Sequence, residues 1–416
     1  MIVRLVLSKS LRDLNSVRLL LINQFFWPDT APTGRFLLDV VQAIDSRRIE
    51  MTAICGASNY ETVDDSPRPP VRILRPSATR FSRDVFGRLM SYGSFLAGAV
   101  VAGFRVGRPD TVITLTTPPL TSVFGRVLKL LRGCRHFIWE MDVYPDIAVD
   151  IGALKSRSML TALIGALADW SRRNADGIIV LGEDMKARLI ARDIPAHIIH
   201  VVENWADGKE IVPVPFQRGP LTVQYSGNFG LTHDFDTIAA VIKHFANDYR
   251  FRFVFAGGGA RRAKMEAFCI KHRIDNVIFR PYASRADLSA SLGEGHLGLV
   301  TQLPETCGSI VPSKTYGIMA AGRPILFIGP REATPARLIE RHRCGWQIDP
   351  LDTAGLASLL ETLASQRQLI EEAGARARQA FEKNHDRPMS AARIVEILGL
   401  QPAEVPARQK TAAAAT

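Results

Sequence analysis

Cysteine is scarce and poorly arranged for structural use. The five residues Cys55, Cys134, Cys269, Cys307 and Cys344 are odd in number and scattered, and they form no Cys-x-x-Cys pair. Neither a disulfide framework nor a zinc site is readable from them. Aromatic residues make up only 8% of the 416. No heptad or Gly-x-y period runs through the chain, which excludes coiled coil and collagen, and 47% hydrophobic with 22% charged residues excludes disorder. Met1 to Ser16 lack the sustained apolar core and small-residue cleavage pattern of a signal peptide, so the expected compartment is a reducing cytoplasm. The uncharged run Leu89 to Phe104 ends at sixteen residues and contains three glycines, short of the ~20 residues a spanning helix requires.

Positive charge, by contrast, is abundant and concentrated. Lys and Arg number 52 against 41 Asp and Glu, a net charge of +11, which favours nucleic acid, anionic lipid or phosphorylated small molecules as partners. Nearly all of the surplus lies between Arg68 and Arg135, where 12 basic residues face only Asp84 and Asp110. Nucleic acid has charge alone in its favour, because no recognised reading motif is present. No nucleic-acid partner is therefore expected.

Short β-rich apolar runs alternate with longer segments of helical period, the signature of parallel α/β units. Strands are expected at VRLLLIN, MTAIC, VRILR, TVITL, HFIWE, GIIVL and HIIHVV, with helices including Arg35 to Ile44, Pro119 to Leu131 and Leu160 to Asn174. A Pro- and Gly-bearing stretch, Asp207 to Pro220, suits a linker, and beyond it LTVQYS, FRFVFAG, NVIF, HLGLV, PILFI and WQI restart the alternation. The fold class expected is α/β: two doubly wound, Rossmann-like domains facing across a cleft. The divisions are an extension over 1–16, a first domain over 17–205, a second over 206–385, a helix over 386–400 returning to the first domain, and a disordered tail over 401–416.

In open parallel sheets ligands bind beyond the carboxyl ends of the strands. After VRLLLIN comes QFFWPDTAPTGRFLL, in which Gly34 allows close backbone approach at a helix start. After HFIWE, the carboxylates Glu140, Asp142 and Asp146 gather at one strand exit and could orient hydroxyls or take a proton, or Asp146 could simply cap a helix. LTVQYS leads into Gly227, Asn228 and Gly230, a weak phosphate-cradle pattern, and FVFAGGGARR stacks Gly257, Gly258 and Gly259 without completing a dinucleotide fingerprint. In VPSKTYGIMAAGRPILFI, Ser313 reads as an N-cap and Lys314 as the first helical residue. A phosphate there would meet free N–H groups, the helix dipole and an ammonium together, a set able to replace a metal ion. No metal site and no cofactor are expected.

NQFFWPDTAPTGRFLLDV, DVYPDIAV, VVENWAD, YSGNFGLTHDFDTI, VFAGGG and VPSKTYGIMAAGRPIL, in this order and spacing, resemble the bacterial family 4 glycosyltransferases of the GT-B fold. Within that family they are similar to the branch that builds colanic acid and O-antigen, the fucosyl and N-acetylfucosaminyl transferases. The resemblance covers roughly Val17 to Leu398. It implies a retaining, metal-independent transfer of a hexosyl or N-acetylhexosaminyl group from a nucleotide diphosphate sugar to a lipid-linked saccharide, in exopolysaccharide or O-antigen synthesis.

The resemblance also implies roles for particular residues. Gly227, Asn228, Gly230 and His233 would face the donor's diphosphate, and Tyr282, in the exit Pro281 to Ala283, its nucleobase. Ser313 and Lys314 would hold the distal phosphates, with Asp142 and Gly34 near the reacting carbon and Lys314 and Asp142 as the catalytic pair. Departures from the wider pattern are visible. Asn228 and His233 stand where many members carry Arg and Lys, Gly317 stands where a glutamate pair ends, and Ser309 stands in place of the first glutamate, with Glu305 as its substitute by a loop shift. Such losses suit an alternative reading, a catalytically inactive sugar-nucleotide-binding or scaffolding subunit. Arg72, Arg75, Arg80, Arg83, Arg88 and Arg105 around Leu89 to Phe104 are expected to meet the acceptor or an anionic membrane, placing the protein at the inner face of the cell membrane.

Overall fold

The computed structural model describes residues 17–56, 67–77, 79 and 85–403, apart from the side chains of residues 85, 86, 88 and 89. The expected extension 1–16, Arg80, Arg83 and the tail beyond residue 403 lie outside the described residues.

Thirteen described strands form two sheets. The first holds β1 (Val17–Ile22), β2 (Ile49–Ile54), β3 (Arg72–Leu74), β4 (Thr111–Leu115), β5 (Arg135–Glu140), β6 (Gly177–Val180) and β7 (Ile199–Val201), in the order β3-β2-β1-β4-β5-β6-β7. The second holds β8 (Leu221–Ser226), β9 (Phe251–Ala256), β10 (Val277–Arg280), β11 (Leu297–Thr301), β12 (Ile325–Ile328) and β13 (Gly345–Ile348), in the order β10-β9-β8-β11-β12-β13. Every pairing with a described register is parallel. Helices cover such sheets on both faces, so interior strands read as unbroken apolar runs. All five residues of β4 are buried, as are all four of β6 and of β12.

Contact density groups the described residues within 17–121, 127–137 and 391–403 in one unit and residues 122–126 and 138–390 in another. In the first unit the chain's last described residues are tied to early ones. Arg135 donates to the Leu398 carbonyl at 3.0 Å, and the Ala403 amide donates to the Ala43 carbonyl at 2.7 Å. In the second, the stretch read as a linker is built into the packing. Ile211 is buried, and Arg323 donates to the carbonyls of Val214 (2.9 Å) and Gly293 (2.8 Å) while lying 4.0 Å from the Phe216 ring centre.

The order of the second sheet reverses between β8 and β11. At such a switch point neighbouring loops diverge and open a crevice beyond the strand ends. An aromatic cluster anchors that edge: Tyr225 at the end of β8 packs against Phe229, Phe235 and Phe255, with ring centres 4.9, 5.1 and 6.2 Å away.

Candidate active site

Lys314 opens the helix Lys314–Ala320, and its side chain reaches back to the β8 exit. Nζ donates to the Tyr225 hydroxyl at 2.8 Å, lies 3.1 Å from His233 Nε2, and sits 4.2 Å from the Tyr225 ring centre. The proton positions follow from the outer partners. Tyr225 Oη donates to the Asn228 carbonyl at 2.5 Å, so it accepts from the amine. His233 Nδ1 lies 2.7 Å from the carbonyl of Thr301, the last residue of β11. A carbonyl only accepts, so Nδ1 carries the proton and Nε2 offers its lone pair to Lys314. The amine thus bridges the two strands that flank the switch point.

Both partners are neutral, and among the described residues Lys314 has no carboxylate partner. Desolvation without a counter-charge pushes its pKa down from 10.5 to about 7. Burial, with the charge of Lys314 second, holds His233 at about 3 against the opposing bond to Thr301, so the ring stays neutral. A half-buried ammonium lacking an anion is a site an anionic ligand would complete.

Glycine makes room for this arrangement. Gly227 has φ +146°, and a Cβ there would meet Lys314 Cε at 3.1 Å. Side chains rarely adopt that backbone, and a Cβ there would make the lysine give way by a few tenths of an ångström. Gly257 and Gly259 make room for the neighbouring loop. Their added Cβ atoms would fall 2.1 Å from the Gly227 carbonyl oxygen and 2.4 Å from Asn228 Oδ1, so they let the β9 loop pack behind the β8 loop. The Phe229 amide then donates to the Gly258 carbonyl at 2.8 Å. Tyr282 lies 57% exposed with its hydroxyl 3.4 Å from the Gly258 carbonyl, leaving a ring face at the surface of the β10 exit. Gly230 and Asn228 sit at the rim of the β8 loop.

Some expected members behave otherwise. Ser313 already has helical angles (φ −68°, ψ −23°) and makes no side-chain cap, so the N-cap reading fails and its hydroxyl stays exposed. The three carboxylates at the β5 exit divide. Glu140 is buried in an ion pair with Arg172 at 2.8 Å, and Asp146 faces Arg192 at 3.3 Å and Arg188 at 3.6 Å. Asp142 alone accepts no hydrogen bond from the described residues. Desolvation, with the charge of Glu140 second, pushes it up to about 6. Its backbone forms an antiparallel bridge with Ile310, and the Val143 amide donates to the Ser309 carbonyl at 2.8 Å, joining the β5 exit to the segment that leads into Lys314.

Ser309 is fully buried, bonded to Asp150 and accepting from Arg188 at 2.6 Å, a structural tie. Glu305 is exposed on the short helical turn Pro304–Thr306. A Cβ on Gly317 would meet only Ile211 and Leu292 methyls, each at 3.8 Å. Three participants were missed by sequence reasoning: Tyr225, Thr301, and Arg261, which donates to the His233 carbonyl at 2.6 Å. Only the fold brings them together.

In the other unit, Gly34 lies inside the helix Pro32–Ala43, where its missing Cβ admits the Phe25 carbonyl at 3.1 Å. Arg72, Arg75 and Arg105 line a cavity of about 730 Å³ with Leu74, Pro76, Gly98, Val101 and Val106. Arg88 lies on the helix Val85–Arg105. That helix buries Ser91, Phe95 and Ala99 and exposes Met90, Val100, Val101 and Phe104. Among the described residues no helix is long and apolar enough to cross a membrane, and no three His, Cys, Asp or Glu side chains are grouped to hold a metal ion.

Comparison with known proteins gives four results of weight. Residues 33–205 match the family model described as a glycosyl transferase 4-like domain. WbjE of Pseudomonas aeruginosa, named as a glycosyltransferase, is 26% identical over 366 residues, covering 83% of this chain and 89% of its own. WcaI of Escherichia coli strain K12, named for colanic acid biosynthesis, is 24% identical over 251 residues, 56% of this chain and 61% of its own. Among solved structures, Anabaena HepE in complex with UDP superposes with a TM-score of 0.68 at 12% identity, covering 92% of this chain and 99% of that one.

Proposed function

We propose, from the match of residues 33–205 to a glycosyl transferase 4-like family model in a chain of the GT-B fold, that this protein is a glycosyltransferase that moves a hexosyl or N-acetylhexosaminyl group from a nucleotide diphosphate sugar to a lipid-linked saccharide. The pathway is exopolysaccharide or O-antigen synthesis, in the fucosyl and N-acetylfucosaminyl branch. Support for the pathway comes from the motifs shared with that branch and from the relative named for colanic acid biosynthesis. Support for a nucleotide donor comes from neighbours solved with UDP and UDP-glucose.

The observation that carries the reading is the Lys314 amine, held at the switch point between two neutral acceptors. Breaking an anomeric C–O bond leaves a diphosphate whose growing charge a preorganised cation stabilises. Lys314 supplies that cation without a metal. Transfer retains configuration by same-face attack: the acceptor oxygen bonds to the anomeric carbon as the bond to phosphate breaks, and the acceptor's proton passes to the departing phosphate oxygen. Asp142, the one free carboxylate of its group, orients the acceptor hydroxyl. Tyr282 offers its exposed ring to the nucleobase.

The cavity walled by Arg72, Arg75 and Arg105 suits an acceptor with an anionic head and an apolar tail, and the apolar stripe on Val85–Arg105 suits a position at the inner face of the membrane. Lys314→Ala should cut turnover by ~100-fold or more, as loss of an oxyanion donor does. Near-normal turnover would defeat the assignment. Donor binding without transfer to any lipid-linked acceptor would favour the scaffolding role instead.

A further inference from the structure

The helix Met159–Arg173 begins cleanly, with Ser158 accepting from the Thr161 amide at 3.1 Å. It turns Thr161, Gly165, Ala168, Asp169 and Arg172 inward. The opposite face belongs, by ordinary helix patterning, to charged and polar residues. Here it is apolar. Met159 is 89% exposed, Leu160 56%, Leu163 58% and Trp170 37%.

Charge on this helix is of one sign where water reaches it. Lys155 and Arg157 stand exposed just before it and Arg173 at its end. The single acid between Leu154 and Arg173 is Asp169, which is buried against Arg172 at 3.1 Å and Arg192 at 2.8 Å, and the nearest exposed acid in sequence, Asp176, lies three residues past the helix end. Arg126, on the helix Thr121–Arg132, lies 5.5 Å from the Trp170 ring centre. The result is an apolar centre with cationic ends and an indole at the margin.

We propose that this face docks on an anionic lipid bilayer, with the helix lying in the headgroup region parallel to the surface. Its 15 residues are too few to cross a bilayer, while apolar side chains flanked by cations match an interfacial helix. A second copy is a poorer occupant: a two-fold, antiparallel pairing of this face would bring Lys155 and Arg157 of one chain against Arg173 of the other. The inference rests on the reading of a membrane-borne acceptor and adds to it a contact surface distinct from Val85–Arg105.

The test is co-sedimentation of the full chain with phosphatidylglycerol/phosphatidylethanolamine vesicles. It compares wild type, Leu160→Ser/Leu163→Ser, and Val101→Ser/Phe104→Ser on the other helix. The Leu160/Leu163 variant should bind ~10-fold more weakly or worse, with an unchanged melting temperature. Brominated lipid should quench a fluorescence component that Trp170→Phe removes. If wild type binds, the Leu160/Leu163 variant binds equally and Trp170 is unquenched, this surface is wrong, and loss of binding by the Val101/Phe104 variant then leaves the membrane reading standing. If wild type ignores every vesicle, both fall. A wild-type dimer that the Leu160/Leu163 variant dissociates would assign the face to a second copy and overturn the proposal.

Discussion

An amine poised near pH 7 and lacking an anion must take up a proton when a diphosphate arrives. In the free protein Lys314 titrates at about 7. At pH 8 it is then ~10% protonated, so a donor that restores a pKa of ~9 or more should draw in close to one proton per chain. At pH 6 the amine is already charged and uptake from this group nearly vanishes. The coupled affinity follows with a definite sign. Binding weakens as pH rises through 7, because each donor must also recruit the proton, and the loss reaches ~50-fold between pH 6 and 9 for a bound pKa of ~9. His233, held at about 3, stays neutral throughout and contributes nothing to this window. The assay is calorimetric titration with a nucleotide diphosphate sugar, whose diesterified diphosphate does not itself titrate here, in two buffers of different ionisation enthalpy. Lys314→Met serves as the reference. Equal proton uptake by wild type and Lys314→Met at pH 8, or an affinity indifferent to pH, would refute the placement of this amine at the diphosphate.

Two neighbouring substitutions probe the cradle. Tyr225→Phe removes one acceptor of Lys314 and leaves the Asn228 carbonyl without its donor. It should cost about 1 kcal/mol of stability in denaturant unfolding and lower kcat by ~10-fold, while a change in stability alone would make Tyr225 merely structural. Gly227→Ala forces a Cβ to 3.1 Å from Lys314 Cε at φ +146°. Donor affinity should drop by ~10-fold or more as the lysine is displaced, at a stability cost of ~1 to 3 kcal/mol for the strained backbone, and calorimetry together with thermal melting separates the two effects.

The strands were legible because a parallel sheet covered on both faces writes itself as continuous apolar runs. TVITL matches β4 and LTVQYS matches β8 end to end. Helix starts were less visible where no side chain caps them. The first described helix begins at Pro32 behind Ala31, not at Arg35, and Thr334–His342 begins behind Ala333. Glu140, Asp142 and Asp146 look alike in sequence, and what separates them is remote. Arg172 lies 32 residues beyond Glu140, and Arg192 lies 46 beyond Asp146. The same distance problem hid Tyr225 and Thr301, which look like ordinary strand residues until the fold puts Tyr225 beside a lysine from a later helix and Thr301 beside His233. The triple glycine was ambiguous in sequence for a related reason, since loop-on-loop packing demands the same absent Cβ that ligand approach does.

In the proposed mechanism the two desolvated groups Asp142 and Lys314 have opposite requirements, and their overlap makes a last consequence. Asp142 must be ionised to orient a hydroxyl, which in the free protein requires pH above about 6. Lys314 must be protonated to meet a diphosphate, which requires pH below about 7. The profile of kcat/KM reports the free enzyme, so it should be a narrow bell centred between those limits and falling ~10-fold per pH unit on each side. In the donor complex the diphosphate stabilises the ammonium, so the alkaline limb of kcat should move upward while the acid limb, set by Asp142, moves far less. Asp142→Asn should erase the acid limb and keep the alkaline one. A kcat/KM profile flat from pH 5 to 9 would mean that neither group's charge takes part in transfer. A single limb that survives in both Asp142→Asn and Lys314→Met would assign the proton dependence to some other residue.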